Sequence, residues 1–260
     1  MKIGYSGGLR WIETAAKLGY DYYETAVQDI AALSDEVFAE AKANVAAAGI
    51  PLLAGNATFP KATPLAGPEV DIGATERHLR HAFRRMAELG CRIVVMGSGK
   101  RREYPEDFPR ETAVRQLALA ATLMGEIAAE NGMVAVMEPL CRKETNLINT
   151  ITEGGEFVEQ VNCPGFLLLA DYYHMAADGE NMDGLKTYGK LLRHAHIAEP
   201  EGRGPVPTGS EACAPFFAAL KEIGYTGMLS FEGIMPKENT EEAMAETLQS
   251  LRRFAEKHGL

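Results

Sequence analysis

Four side chains suited to hard or borderline divalent metals stand at the ends of short apolar runs: Glu138 after Met133–Met137, Asp171 after Phe166–Ala170, His196 within Leu192–Ile197, and Glu232 after Met228–Phe231. An ionised carboxylate in such a place is costly unless it meets a cation or strong donors. Taken singly, each has an ordinary structural explanation, an acidic strand terminus or a hydrogen-bonded histidine. Four on four successive strand ends do not. Three carboxylates and one imidazole make a mostly oxygen, net negative donor set. It suits one divalent ion, Mn²⁺ foremost with Co²⁺, Mg²⁺ or Zn²⁺ as alternatives, better than a thiolate-seeking one.

Other polar residues gather near these four in sequence. Pro139 ends the strand before it and turns the chain into a polar loop carrying Arg142, Glu144 and Asn146. His174 lies three residues past Asp171 and can reach back over the same place. His194 shares a strand face with His196, one layer deeper. Arg203, in the glycine- and proline-rich loop Glu199–Gly209, offers a rigid donor fork for substrate oxygens or developing negative charge. Glu24, ending the second strand, is expected to position other groups. Gly97-Ser98-Gly99-Lys100 lacks the spacing of a phosphate-binding loop, and Ser98 has no base pattern to make it a nucleophile.

A recurring junction places these residues: helical periodicity, a glycine, then a short apolar strand. It occurs at Gly19, Gly49, Gly90, Gly132 and Gly224, each fitting the left-handed position after a helix. With Lys2–Tyr5 first and two strands lacking that glycine, the count is eight strands. Each is followed by an amphipathic helical segment, among them Glu36–Ala48, Thr75–Leu89, Glu111–Glu130 and Thr240–Lys257. Leu79, Phe83 and Met86 form one apolar stripe, and Ser34-Asp35 supplies a helix start. Strict alternation over residues 1–260 predicts one α/β domain, a single (β/α)8 TIM barrel, with a doubly wound sheet as the alternative. The active side of a barrel is the C-terminal end of its strands. The long segments Pro60–Gly73 and Ser98–Pro109 fall there, and Lys100-Arg101-Arg102 is expected to be a solvated loop or a substrate lid.

The totals narrow the function classes. A net charge of -10 argues against a nucleic-acid surface. Four scattered cysteines without a C-x-x-C pair predict reduced thiols. No apolar run spans a membrane, and the chain enters a strand at Lys2, so a cytoplasmic location without membrane partners is expected. Homo-oligomerisation is left open.

The runs Glu138-Pro139-Leu140-Cys141-Arg142-Lys143-Glu144-Thr145-Asn146, Asp171-Tyr172-Tyr173-His174-Met175, His194-Ala195-His196 and Ser230-Phe231-Glu232 resemble the xylose isomerase-like TIM-barrel superfamily. Within it they are similar to sugar phosphate isomerase/epimerases and ketose 3-epimerases, nearly throughout the chain and in strand order. The resemblance implies one divalent metal held by Glu138, Asp171, His196 and Glu232. It also implies Glu138 and Glu232 as the acid/base pair, and Glu144, His174 and Arg203 as contacts to a sugar or keto-sugar substrate. The expected reaction is epimerisation beside a carbonyl through a cis-enediolate. Two departures, Cys141 in place of the usual Asn and Arg203 one residue further from the metal His, put the sugar's identity in question. Alternatives are aldose–ketose isomerisation, epimerisation or elimination on a 3-keto-glycoside or cyclic polyol, and metal and sugar binding without turnover. An endonuclease IV-like enzyme would need histidines at the third and fourth strand ends. Those places read Gly55-Asn56-Ala57-Thr58 and Gly97-Ser98-Gly99.

Overall fold

Where the sequence places a glycine between helix and strand, the backbone takes the left-handed turn: φ is 90° at Gly19, 76° at Gly49, 93° at Gly90, 71° at Gly132 and 67° at Gly224. The computed structural model describes residues 1–260, and its eight strands, five of them introduced by these turns, are parallel. They are β1 (Lys2–Ser6), β2 (Tyr22–Ala26), β3 (Leu52–Asn56), β4 (Ile93–Met96), β5 (Val134–Met137), β6 (Phe166–Asp171), β7 (Leu192–Ile197) and β8 (Met228–Phe231). Each pairs with the next, and β1 pairs with β8, so the sheet closes into a barrel. This is the (β/α)8 TIM barrel expected from the alternation.

Principal helices follow the strands: α1 (Ile12–Leu18), α2 (Asp35–Ala47), α3 (Ile72–Glu88), α4 (Arg110–Glu130), α5 (Ile151–Val161), α6 (Asp183–Tyr188), α7 (Ala214–Glu222) and α8 (Thr240–His258). Ser34 caps α2 by accepting the Val37 N–H at 3.3 Å. Helix α3 begins three residues before the expected start at Thr75, because the Asp71 carboxylate accepts the Ala74 N–H at 2.9 Å. The stripe Leu79, Phe83 and Met86 is fully buried against the sheet. Each such side chain contributes about 1.5–3 kcal/mol of transfer free energy.

Inside the barrel, Tyr22, Ala54, Ile93, Val95, Val136 and Leu169 form a separate small core. Gly4 makes room for the Tyr22 ring, since a Cβ there would lie 2.3 Å from it. Above this apolar floor the interior becomes polar, with Glu24, His194, His196 and Ser230 all fully buried. No helix is long and apolar enough to cross a membrane, and all four cysteines are free thiols.

Three βα segments are stitched together over the mouth. The Leu65 N–H donates to the Arg101 carbonyl at 2.6 Å. Asn146 and Tyr104 exchange two hydrogen bonds, at 2.9 and 3.3 Å. One expectation fails here: Arg102 is not solvated. A short helix, Gly99–Arg102, splits the basic triplet, turning Arg102 into the core toward the carbonyls of Met96 (3.4 Å) and Ile148 (3.3 Å). Burial pulls its guanidinium down to about 10, against the charges of Glu138 and Glu144.

Candidate active site

At the C-terminal mouth, Glu138, Asp171, His196 and Glu232 come together, with one donor atom from each lying within 4.8 Å of the others. His196 Nδ1 is 3.1 Å from Glu138 Oε1 and 3.3 Å from Glu232 Oε2. Its other nitrogen, Nε2, faces the Glu24 carboxylate at 3.0 and 3.2 Å. Glu24 also meets His194 Nε2 at 2.9 Å and accepts the Ser230 hydroxyl at 2.5 Å, and Ser230 bonds Tyr22 Oη at 2.7 Å. A deeper polar layer therefore fixes the His196 ring and aims Nδ1 at the three carboxylates.

The carboxylates are held by different means. Asp171 caps the short helix Tyr172–Ala177 through the Tyr173 N–H, at 2.8 Å from Oδ1, leaving Oδ2 toward the site. Glu232 accepts Asn56 Nδ2 at 2.5 Å on Oε1 and Arg203 Nη2 at 2.5 Å on Oε2. Glu138 Oε2 lies where a Cβ on residue 97 would stand, only 2.2 Å from it, so Gly97 is a gap shaped to the carboxylate.

Electrostatics at this cluster favour a cation. Burial pushes the Asp171 carboxyl up to about 7, against Arg203 and with the charge of Glu138. Burial alone would lower His196, but the charges of Glu24 and Glu232 and hydrogen bonds to Glu138 and Glu232 hold it well above its ordinary value. In this state a proton on Nδ1 neutralises part of the carboxylate charge. A divalent ion among three carboxylates and one imidazole nitrogen does the same more fully, so the donor set fits one.

Around the cluster, His174 Nδ1 accepts the Cys141 N–H at 3.3 Å. Burial, then the charge of Arg203, pushes its imidazole down to about 3, so the ring is neutral with its proton on Nε2. That Nε2, 3.5 Å from Asp171 Oδ2, has no hydrogen-bond partner although it is buried. It is a donor waiting for an oxygen. Arg203 packs over the Tyr173 ring at 4.8 Å and lies 3.3 Å from Asp171 and 3.6 Å from Glu144. Burial raises the Glu144 carboxyl against the pull of Arg203. Arg142, from the same polar loop, turns outward to Asp178 at 2.9 Å.

The structure thus brings all seven sequence-selected residues to one mouth. Asn56, Gly97 and Tyr173 belong there too and escape a reading based on metal ligands and acid/base groups. The only sequence signal for the first two is their place, at or just past the ends of β3 and β4.

The profile of the family described as Xylose isomerase-like TIM barrel matches residues 12–254. The L-ribulose 3-epimerase of Methylomonas sp. (strain DH-1) is 32% identical over 237 residues, covering 87% of this chain and 78% of that protein. The 3-dehydro-D-guloside 4-epimerase of Escherichia coli K12 is 25% identical, across 68% of this chain and 70% of its own. The crystal structure of D-allulose 3-epimerase from Methylomonas sp. in complex with D-allulose superposes with a TM-score of 0.83 at 25% identity, covering 97% of this chain and 96% of that one.

Proposed function

The chain belongs to the xylose isomerase-like TIM-barrel family, and we propose that it inverts a carbon beside the carbonyl of a keto-sugar, with Glu138 and Glu232 as its two acid/base groups. It is an enzyme acting on carbohydrates, related to sugar epimerases. The L-ribulose 3-epimerase and the 3-dehydro-D-guloside 4-epimerase both carry names of that reaction type, inversion next to a ketone. Glu138, Asp171, His196 and Glu232 would hold one divalent ion, with Mn²⁺ the proposed occupant. Bound there, it supplies Lewis-acid polarisation of the sugar carbonyl and acidifies the neighbouring C–H.

The chain's own groups divide the remaining work. Glu232 is kept ionised and so able to accept a proton: burial alone would raise its carboxyl, but His196 and Arg203 hold it well below the usual carboxylate range. It removes the proton from the carbon beside the carbonyl on one face of the sugar. Glu138, three strands away around the mouth, returns a proton from the other face, and in the reverse direction the two exchange roles. His174 donates its unpartnered Nε2–H to a sugar oxygen, and Arg203 offers its guanidinium to negative charge growing on the substrate.

The observation that supports this reading best is the four-donor cluster with two glutamates from separated strands. Its test is reconstitution of metal-stripped protein with Mn²⁺, followed by incubation with ketoses in D₂O and proton NMR. Binding of one ion per chain, with deuterium entering a single carbon next to the carbonyl, is expected. A plateau near three ions, or no exchange in any ketose, overturns it.

A further inference from the structure

Beside the proposed reaction centre, a cavity of about 380 Å³ opens over the β3 and β4 side of the mouth. Lys61, Lys100, Arg101 and Lys143 line it, and it shares Glu144 and Tyr173 with the site. Glu144 is the only acidic lining residue, and it already faces Arg203 at 3.6 Å. Lys100 pairs with Glu103 at 2.7 Å, whereas Lys61, Arg101 and Lys143 have no carboxylate within 4.0 Å. In a chain of net charge -10, three such cations on one cavity give it a local positive field against the sign of the whole molecule.

The walls are also held in place deliberately. Arg101 Nη1 donates to the Lys61 carbonyl at 2.8 Å, fixing two of the cationic segments to each other. Ala57 (φ 43°) and Ser98 (φ 55°), both lining the cavity, sit in the left-handed region that non-glycine residues avoid. Strain of this kind persists where the surrounding structure fixes a functional shape.

We propose that the substrate is an anionic keto-sugar, with an oxyanion group (a phosphate ester or a carboxylate) at the end far from its carbonyl, and that Lys61, Arg101 and Lys143 bind this group. The inference rests on the epimerase reading for the sugar's orientation: reacting carbons at Glu138 and Glu232, tail past Tyr173 and Glu144 into the cationic cavity. Arg101 supplies a planar fork matched to either oxyanion, and the two lysines add mobile point charges.

The test is calorimetric binding of a neutral ketohexose, its 6-phosphate and the matching 6-carboxylate to Mn²⁺-loaded protein, with D₂O exchange run on the same samples. At least about tenfold tighter binding of an anionic sugar at low salt is expected, shrinking as salt screens the charges. Which anion binds tighter identifies the group. The Arg101→Gln/Lys143→Gln double variant should bring the anionic-to-neutral ratio below about threefold. Lys190→Gln, a charge change before β7 at the opposite end of the barrel, should keep the wild-type ratio. Equal binding of neutral and anionic sugars, or a preference that survives the double variant, overturns the inference. Absence of exchange with all three sugars overturns the epimerase reading instead, while the binding ratios still decide the anion.

Discussion

The two halves of the barrel mouth are built by opposite means. From β5 to β8, each strand ends in, just before or just after an ionisable side chain that enters the cluster: Glu138, Asp171, His196 and Glu232. From β1 to β4, no ionisable side chain joins it. That half contributes an amide donor at Asn56, a missing side chain at Gly97, and one carboxylate, Glu24, sunk a layer deeper beneath His196. The charged half supplies donors, and the neutral half decides where those donors can point. Chemistry that needs a fixed geometry depends on both.

Substitutions in the neutral half measure how far that dependence goes. The largest effect is expected from Gly97→Ala, whose Cβ would stand 2.2 Å from Glu138 Oε2 and force the carboxylate to move. Mn²⁺ affinity, read by titration of metal-stripped protein, should fall about 100-fold, the upper end for disturbance of a ligand's surroundings. Unchanged affinity would show that Glu138 has room to spare and that the two halves are independent. A smaller loss, about tenfold, is expected for Glu24→Gln, which keeps the shape but replaces the carboxylate that holds His196. Ser230→Ala, on β8 but reaching across to Glu24, removes only one of the donors to that carboxylate and should cost less than about threefold on the same scale. A Glu24→Gln loss no greater than that of Ser230→Ala would reduce Glu24 to a packing role.

The same contrast explains what was legible beforehand. A charge after an apolar run stands out because burying it is expensive, so the charged half shows in one dimension. Strand count follows from the strict strand–helix alternation, which leaves a doubly wound sheet as the alternative to closure, and helix edges are displaced by caps such as Asp71. Asn56 and Gly97 carry no such signal. One matters through the direction of a single hydrogen bond, the other through a Cβ it lacks, and both facts exist only once β3, β4, β5 and β8 are brought together. Lys100-Arg101-Arg102 reads as one basic cluster, yet a single turn of helix sends Arg102 inward and leaves its two neighbours lining the cavity. Charge alone does not say which way a side chain faces.

The central proposal, two glutamates working on opposite faces of one carbon, is tested most directly by deuterium incorporation from D₂O. The measurement compares wild type, Glu138→Gln and Glu232→Gln, each offered both epimers separately, with metal content verified in all three. Net epimerisation should fall by about 100-fold or more in either variant, within the range that a positioned acid or base contributes. Each variant should still exchange the proton on the face its remaining glutamate serves, so one labels the substrate epimer and the other the product epimer. Metal-loaded variants that both epimerise at the wild-type rate would contradict the account.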